Sequence, residues 1–508
     1  MPYLTIRHNG KETTILCEEG ASLSKALESA HQEIDQPCAG RGRCGKCRVV
    51  AGGALSTPTE EELRFLSPED LKKGVRLACM TKVAGDAWVA VGEPKAMGAI
   101  AVEGRMADFT FEPLPGEWGV SVDIGTTTVA AFLYHLPLGM RCSHAAAKNP
   151  QAAWGADVIS RIEQSMDGHA GSLQEAIVTC LNSLLYELAQ NGGIQTNQIT
   201  SFVITGNTTM LYLLTGKNPG CLSRAPFIAD ELFGSFYDAR SLGLTASSDA
   251  QVYLPRCISA FVGADITTAI LASGMASRKF PCLLVDIGTN GELALWTGEK
   301  LYCCSTAAGP ALEGVNISCG MAALPGAIDT VSVINGSAVY TVIGGGKAQG
   351  ICGSGIIDAA AALLKLGLLE DTGFLEEDFT LAPDILLTQQ DIRNLQLAKG
   401  AICAGILTLL QTAGLSEGNI AALYLAGGFG SYINLKSAAA IGLIPAGLAE
   451  KTVVLGNAAG AGAAMLLQSR PLLEESVTMA QHAVTVELSS NPVFHDYYME
   501  CMLFPIEA

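Results

Sequence analysis

The chain has 508 residues, 49% apolar and 16% charged, with a mean hydropathy of +0.33. That excludes a disordered chain and supplies apolar surface for about three domains of roughly 100–200 residues each. A net charge of −18 excludes the basic footprint of a nucleic-acid binder and attraction to an anionic membrane surface.

No run of 18 residues is cleanly apolar; the richest stretch, Ile258 to Met275, is broken by Asp265 and reads as a buried helix. The N-terminal MPYLTIRHNG has neither a basic stretch nor a long apolar core. The expectation is a cytoplasmic protein with no membrane span and no secretory signal.

Residues 1–92 read as a small β-grasp domain. Leu4–Arg7 and Thr13–Cys17 alternate as strands about an Asn9-Gly10 hairpin turn. Ser22 to Ala30 has helical spacing, and Arg48–Val50 and Trp88–Val91 read as later strands. Four of the sixteen cysteines fall here as Cys38, Cys44, Cys47 and Cys79, in the order C-x5-C-x2-C-x31-C. A [2Fe–2S] cluster takes four thiolates: three on one glycine-rich loop curl around it and the fourth comes from a distant segment. Gly40, Gly42 and Gly45 give that loop its freedom and bare N–H groups. Zinc and unconnected thiols are the alternatives, but zinc sites usually show two short cysteine pairs, and this region has one. The region resembles plant- and adrenodoxin-type ferredoxins, its first gap being nearer the adrenodoxin pattern. Cys17 lies outside the set and reads as a core residue.

Residues 93–117, closing on Pro113, Pro115 and Gly116, read as a linker. Beyond it a motif is duplicated. Val122-Asp123-Ile124-Gly125-Thr126-Thr127-Thr128-Val129 recurs as Val285-Asp286-Ile287-Gly288-Thr289-Asn290-Gly291-Glu292. Each copy is strand, tight turn, returning strand. The turns offer N–H groups and hydroxyls to phosphate oxygens, and each leading aspartate suits Mg²⁺, usually through water. A Walker-A loop would instead read GxxxxGK[ST] and open a helix.

The pair resembles the phosphate-1 and phosphate-2 motifs of the acetate and sugar kinase, heat-shock chaperone and actin superfamily. The resemblance implies two duplicated ribonuclease-H-like lobes, 118–280 and 281–508, with ATP and Mg²⁺ between them. Three further stretches match in order. Ile258 to Met275 resembles the first connecting helix. Leu423 to Ile433 resembles the adenosine motif, with Gly427, Gly428 and Gly430 near the nucleoside. Gly456 to Leu467 resembles the second connecting helix. The resemblance implies catalytic roles for Asp123, Asp286 and Asp265, the last orienting the attacking water; the lesser alternative for Asp265 is a helix cap or a structural partner. It implies phosphate contacts from Gly125, Thr126, Thr127, Thr128, Gly288, Thr289 and Asn290. Thr205 to Thr209, with Gly206 and Asn207, resembles a lobe-one counterpart of the adenosine turn and equally a plain N-cap. Gly353 and Ser354 either line the nucleotide or turn the chain into a helix. Cys303, Cys304 and Cys352 read as buried small hydrophobes.

The class is thus α/β with an α+β N-terminal domain. The whole architecture resembles the reductive activators of corrinoid-dependent methyltransferases. That resemblance implies ATP-driven transfer of one electron from the cluster to Co(II), regenerating Co(I). It also implies a corrinoid protein as partner, a low-potential donor such as reduced ferredoxin, and a monomer or homodimer. The short linker leaves no room for the extra middle domain of some members. Two other readings remain: an activator of a 2-hydroxyacyl-CoA dehydratase, and a non-catalytic nucleotide- and redox-sensing module.

Overall fold

The computed structural model describes residues 1–505 except 9–10, 31–46, 67, 91–103, 156, 289 and 315. Cys38, Cys44, Thr289 and the Asn9-Gly10 turn therefore lie outside the described residues. The chain divides into two compact units. The first holds Met1–Ile100 with Ala323–Asp329 and Tyr340–Gly350; the second holds the rest.

In the first unit, β1 (Tyr3–His8), β2 (Lys11–Leu16), β3 (Arg48–Leu55), β4 (Val75–Leu77) and β5 (Val83–Ala90) form one sheet in the order β2-β1-β5-β3-β4. Strands β1 and β5 run parallel and the other pairs antiparallel. Helix α1 (Leu23–Ser29) puts Leu23, Ala26 and Leu27 into a core with Leu4, Ile6, Leu77 and Val89. Two short helices follow, α2 (Glu60–Leu63) and α3 (Pro68–Lys72).

The second unit repeats one topology. Strands β6 (Trp118–Ile124), β7 (Thr128–His135), β8 (Met140–Lys148), β9 (Ile199–Gly206), β10 (Ser235–Asp238) and β11 (Gln251–Leu254) pair in the order β10-β11-β9-β6-β7-β8. The second sheet joins β12 (Cys282–Ile287), β13 (Gly291–Trp296) and β14 (Leu301–Thr306) to strand Ala422–Ala426 on the far side of β12. In each sheet a hairpin (β6–β7, β12–β13) runs antiparallel, while its first strand pairs parallel with a later one. The duplicated motif therefore occupies equivalent positions.

Helices α4 (Val158–Gln164), α5 (Ala170–Gly192) and α6 (Thr208–Thr215) serve the first sheet. The core there joins Val122, Leu133, Leu181, Leu185, Phe202 and Ile204. Helices α7 (Ala264–Ser273), α8 (Gly353–Lys365), α9 (Gln389–Thr412), α10 (Leu435–Ala440) and α11 (Ala458–Gln468) follow. The stretch expected as one helix over 258–275 is helical only from Ala264 to Ser273; before it, Val262 turns back to accept from the amides of Ile258 and Ser259. Helices α7 and α11 cross closely, because Gly462 lies against the backbone of Thr268 with no room for a Cβ.

The part of the linker that is described, 104–117, lies along the second unit: Arg105 donates to Leu455, Ala107 to Ala272 and Leu114 to Leu467, and Leu114 is buried. Also, α9 is long and apolar enough by composition to cross a membrane, although its sequence is not a clean apolar run; most of its apolar window is buried inside the protein.

Candidate functional site

In the first unit Cys47 follows the cysteine-rich loop, and Cys79 follows β4. The amide of Ala78 donates to the carbonyl of Cys47 at 2.9 Å, and the two sulfurs stand 3.3 Å apart. Two thiols so placed suit a shared iron–sulfur group. The Cys79 segment is held by a residue that the sequence reading missed. Fully buried Glu62 takes a bidentate pair from Arg76 (2.8 and 2.9 Å) and accepts from the amide of Leu77 (2.9 Å) and the hydroxyl of Thr81 (3.1 Å). Burial pushes its carboxyl up, but the bonds from Arg76, Leu77 and Thr81 outweigh burial and hold it below the ordinary carboxylate range. In sequence it is one of three glutamates opening a short helix, which reads as a solvated face.

In the second unit the first loop is closed by the amide of Gly125 donating to the carbonyl of Thr128 (2.9 Å), and the second by Gly288 donating to Asn290 (3.0 Å). The first is braced from below. Buried Arg161 donates to the carbonyls of Thr126 (2.7 Å) and Gly155 (2.9 Å). Asn149 donates through Nδ2 to the carbonyl of Gly125 (2.9 Å), and through its amide to that of Thr127 (2.8 Å). Asn207 caps α6 by accepting from Met210 (3.0 Å) and donates to Thr126 Oγ1 (3.2 Å). Gly206 ends β9 opposite Ile124. Asn207 is thus the N-cap of α6, and it also touches the first loop.

The aspartates converge. Asp265 lies in the first turn of α7, and its Oδ1 accepts from the amide of Ile266 (2.8 Å). Burial raises Asp123 to about 7, and the charges of Asp265 and Asp286 add to it, against a bond from Asn457, the N-cap of α11. Burial and Asp265 raise Asp286 to about 7. Burial also raises Asp265, against bonds from the backbone. A second missed residue joins them. Glu292 stands directly opposite Asp286 across the β12–β13 hairpin, and burial with the charges of Asp265 and Asp286 drives it well above its usual range. Like charges so placed repel. Glu313, on the turn Pro310–Glu313, reaches within 3.5 Å of Thr127 Oγ1.

Gly427 follows strand Ala422–Ala426 with φ +88°; a Cβ there would stand 2.6 Å from Asp286 Oδ1 and 2.8 Å from the carbonyl oxygen of Ile287. Gly428 and Gly430 belong to the 3-10 turn that follows, Gly430 against Leu425. Gly353 and Ser354 are buried in the first turn of α8, with Ser354 Oγ 3.3 Å from Cys352 Sγ. They begin a helix that packs against the Glu313 turn. Cys303 and Cys304 are fully buried, and burial pushes both thiols up.

Residues 281–508 match the C-terminal domain of RACo, the ASKHA domain; 118–278 match the RACo middle region; and 6–84 match the 2Fe-2S iron-sulfur cluster binding domain. The chain belongs to the RACo family of corrinoid activators. A solved reductive activator for corrinoid, iron-sulfur protein is 27% identical, with a TM-score of 0.71, over 99% of this chain and 98% of that one. The corrinoid activation enzyme RamQ of Eubacterium limosum is 35% identical over 76% of this chain and 70% of its own length. The [Co(II) methylated amine-specific corrinoid protein] reductase of Methanosarcina barkeri is 31% identical over 54% of this chain and 53% of its own length. The family's middle region thus falls on the first of the two sheets, so the short linker does not mark a missing domain. The ferredoxin match favours this family over the dehydratase activators, which lack such a domain.

Proposed function

We propose that the protein is an ATP-dependent reductive activator that passes one electron from a [2Fe–2S] cluster to the Co(II) of a corrinoid protein, restoring Co(I) for methyl transfer. The observation that carries the reading is the presence, in one chain of this family, of a thiol pair 3.3 Å apart and a converging set of carboxylates on duplicated phosphate loops.

Cys47 and Cys79, with Cys38 and Cys44, hold the cluster, which supplies one-electron chemistry when bound. Glu62 fixes the Cys79 segment. Lobes 118–280 and 281–508 hold the nucleotide. Gly125, Thr126, Thr127 and Thr128 on one side, and Gly288, Thr289 and Asn290 on the other, present N–H groups and hydroxyls to the phosphates. Asp123 and Asp286 hold Mg²⁺ through water, and Asp265 orients the attacking water. Asn207 and Gly206 set the first loop; Gly427, Gly428 and Gly430 leave room for the nucleoside. Gly353 and Ser354 support the second lobe near the Glu313 turn. Hydrolysis moves the lobes and alters the grip on the corrinoid partner. A low-potential donor such as reduced ferredoxin re-reduces the cluster. The protein works in the cytoplasm as a monomer or homodimer.

The test is anaerobic. Reduced protein, Mg–ATP and a co-encoded Co(II)-corrinoid protein are mixed and the corrin absorbance is followed. ATP-dependent appearance of Co(I) is expected; its absence with every co-encoded partner overturns the reading. Steady turnover of ATP rules out a mere sensing module.

A further inference from the structure

Segment 104–117 is anchored to both sheets of the second unit. At its start Gly104 bridges antiparallel to Gly456, on the edge strand Thr452–Gly456 of the second sheet, and the amide of Arg105 donates to the carbonyl of Leu455 (2.8 Å). At its end the hydroxyl of Ser201, on β9 of the first sheet, donates to the carbonyl of Pro115 (2.6 Å). Between these anchors the chain crosses the two packed helices. The amide of Ala107 donates to Ala272 in the last turn of α7 (2.8 Å), and the amides of Glu112 and Leu114 donate to Gln468 and Leu467 at the end of α11 (both 3.0 Å). Met106 packs against two apolar clusters, one around α7 and the second sheet and one around α11 and the first sheet. The starting anchor has no slack: a Cβ on Gly104 would run into the carbonyl oxygen of Asn457 and stand 2.8 Å from Ala461 Cβ. The same anchor bears on the adenosine turn, because the carbonyl of Gly456 accepts from the amide of Gly427 (3.1 Å).

A chain tied to two bodies follows any rotation between them. Helices α7 and α11 cross too tightly to slide, since Gly462 lies on the backbone of Thr268, so a rotation of the sheets turns about that crossing and bears on both ends of the segment. Resting on the ATP-driven reading above, we propose that segment 104–117 is a strap that couples the nucleotide site to the cluster-binding residues, to which it is joined in sequence. Nucleotide on the Gly427 turn steadies Gly456 and so tightens the Gly104 bridge. Rotation of the sheets is then handed along the strap to the chain that carries Cys79, instead of being lost in a loose connection. The coupling is reciprocal: undocking Gly104 weakens nucleotide binding by the same factor that nucleotide strengthens the docking.

The test uses the full-length, cluster-loaded protein under anaerobic conditions, with hydrogen exchange read by peptide mass spectrometry. Mg–ATP is expected to slow exchange in the peptide over 104–110 about fivefold, alongside protection of the loop over 125–128 that reports binding. Gly104→Ala should abolish the response at 104–110, raise the Kd for Mg–ATP about fivefold by calorimetry, and lower the Co(I) formed per ATP hydrolysed. A Gly-Gly insertion between Phe109 and Thr110 keeps both anchors and slackens the strap. It should keep ATP turnover and the response at 104–110 while lowering Co(I) per ATP. Protection of 125–128 with unchanged exchange at 104–110 overturns the strap and leaves the ATP reading standing. Undiminished Co(I) per ATP in both variants also overturns the strap. A response at 104–110 without Co(I) from any form of the protein supports the strap and overturns the activator reading alone.

Discussion

The two phosphate-loop hairpins share a topology and differ in what faces the aspartate. Asp123 stands opposite Ala130, whereas Asp286 stands opposite Glu292. The first loop is braced through its backbone by Arg161 and Asn149, and through the Thr126 hydroxyl by Asn207. The second instead adds a carboxylate opposite its aspartate, and Gly427 presses against that aspartate. Duplication supplied one scaffold twice, and the copies have separated into a positioned loop and a charged one. The charged one has a built-in repulsion between Asp286 and Glu292.

The largest test of this contrast is removal of the aspartates. Asp286→Asn and Asp123→Asn should each lower ATP turnover by roughly 10²–10³, the worth of a metal-held phosphate in the transition state. Raising Mg²⁺ should recover part of the loss; a fall of less than threefold in either variant would break the pairing of the loops.

Next is Arg161→Met. It strands the carbonyls of Thr126 and Gly155 in a buried site, and should cost about 3 kcal/mol in a denaturant melt. No equivalent brace exists on the second loop among the described residues, so this sensitivity should be confined to the first.

Glu292→Gln separates the two loops by pH. The carboxyl is raised in the folded state, so its destabilising charge is absent below the unfolded value and grows as pH rises toward the folded one. The variant should match the unsubstituted protein at pH 4. At pH 8 without nucleotide it should be more stable by about 1 kcal/mol, and Mg–ATP should abolish the difference. Thermal melts across pH check this; an equal gap at both ends would refute it.

The smallest effect is Asn207→Ala, which removes the α6 cap and should cost about 1 kcal/mol. Because Asn207 also bonds Thr126, the nucleotide Kd should rise alongside the lost stability, and calorimetry reads both.

Much of this was legible in the chain. The cysteine spacing announced a cluster, and the repeated Asp-Ile-Gly-Thr text announced a duplicated hairpin, because three of the cysteines and both turns are short local patterns. The α7 start was misplaced by six residues, since Ile258 to Gly263 is as apolar as the helix and only its backbone bonding reveals the turn. Asp265 was legible through the superfamily resemblance, which grouped it with Asp123 and Asp286; the charge of Glu292 beside them was not.

What the sequence by itself determined is the set of local devices: thiol spacing, phosphate turns, and the small residues of α11 that permit a close crossing. Only the tertiary structure decided which charges meet. Nothing in the sequence marked Glu62 in its acidic triplet or Arg161 on its short helix, and Glu292 stood in the motif with no role of its own. Each acts through partners brought to it by packing: Arg76, Thr126 and Asp286. Burial then raises or lowers a proton affinity in ways that no neighbour in the chain can set.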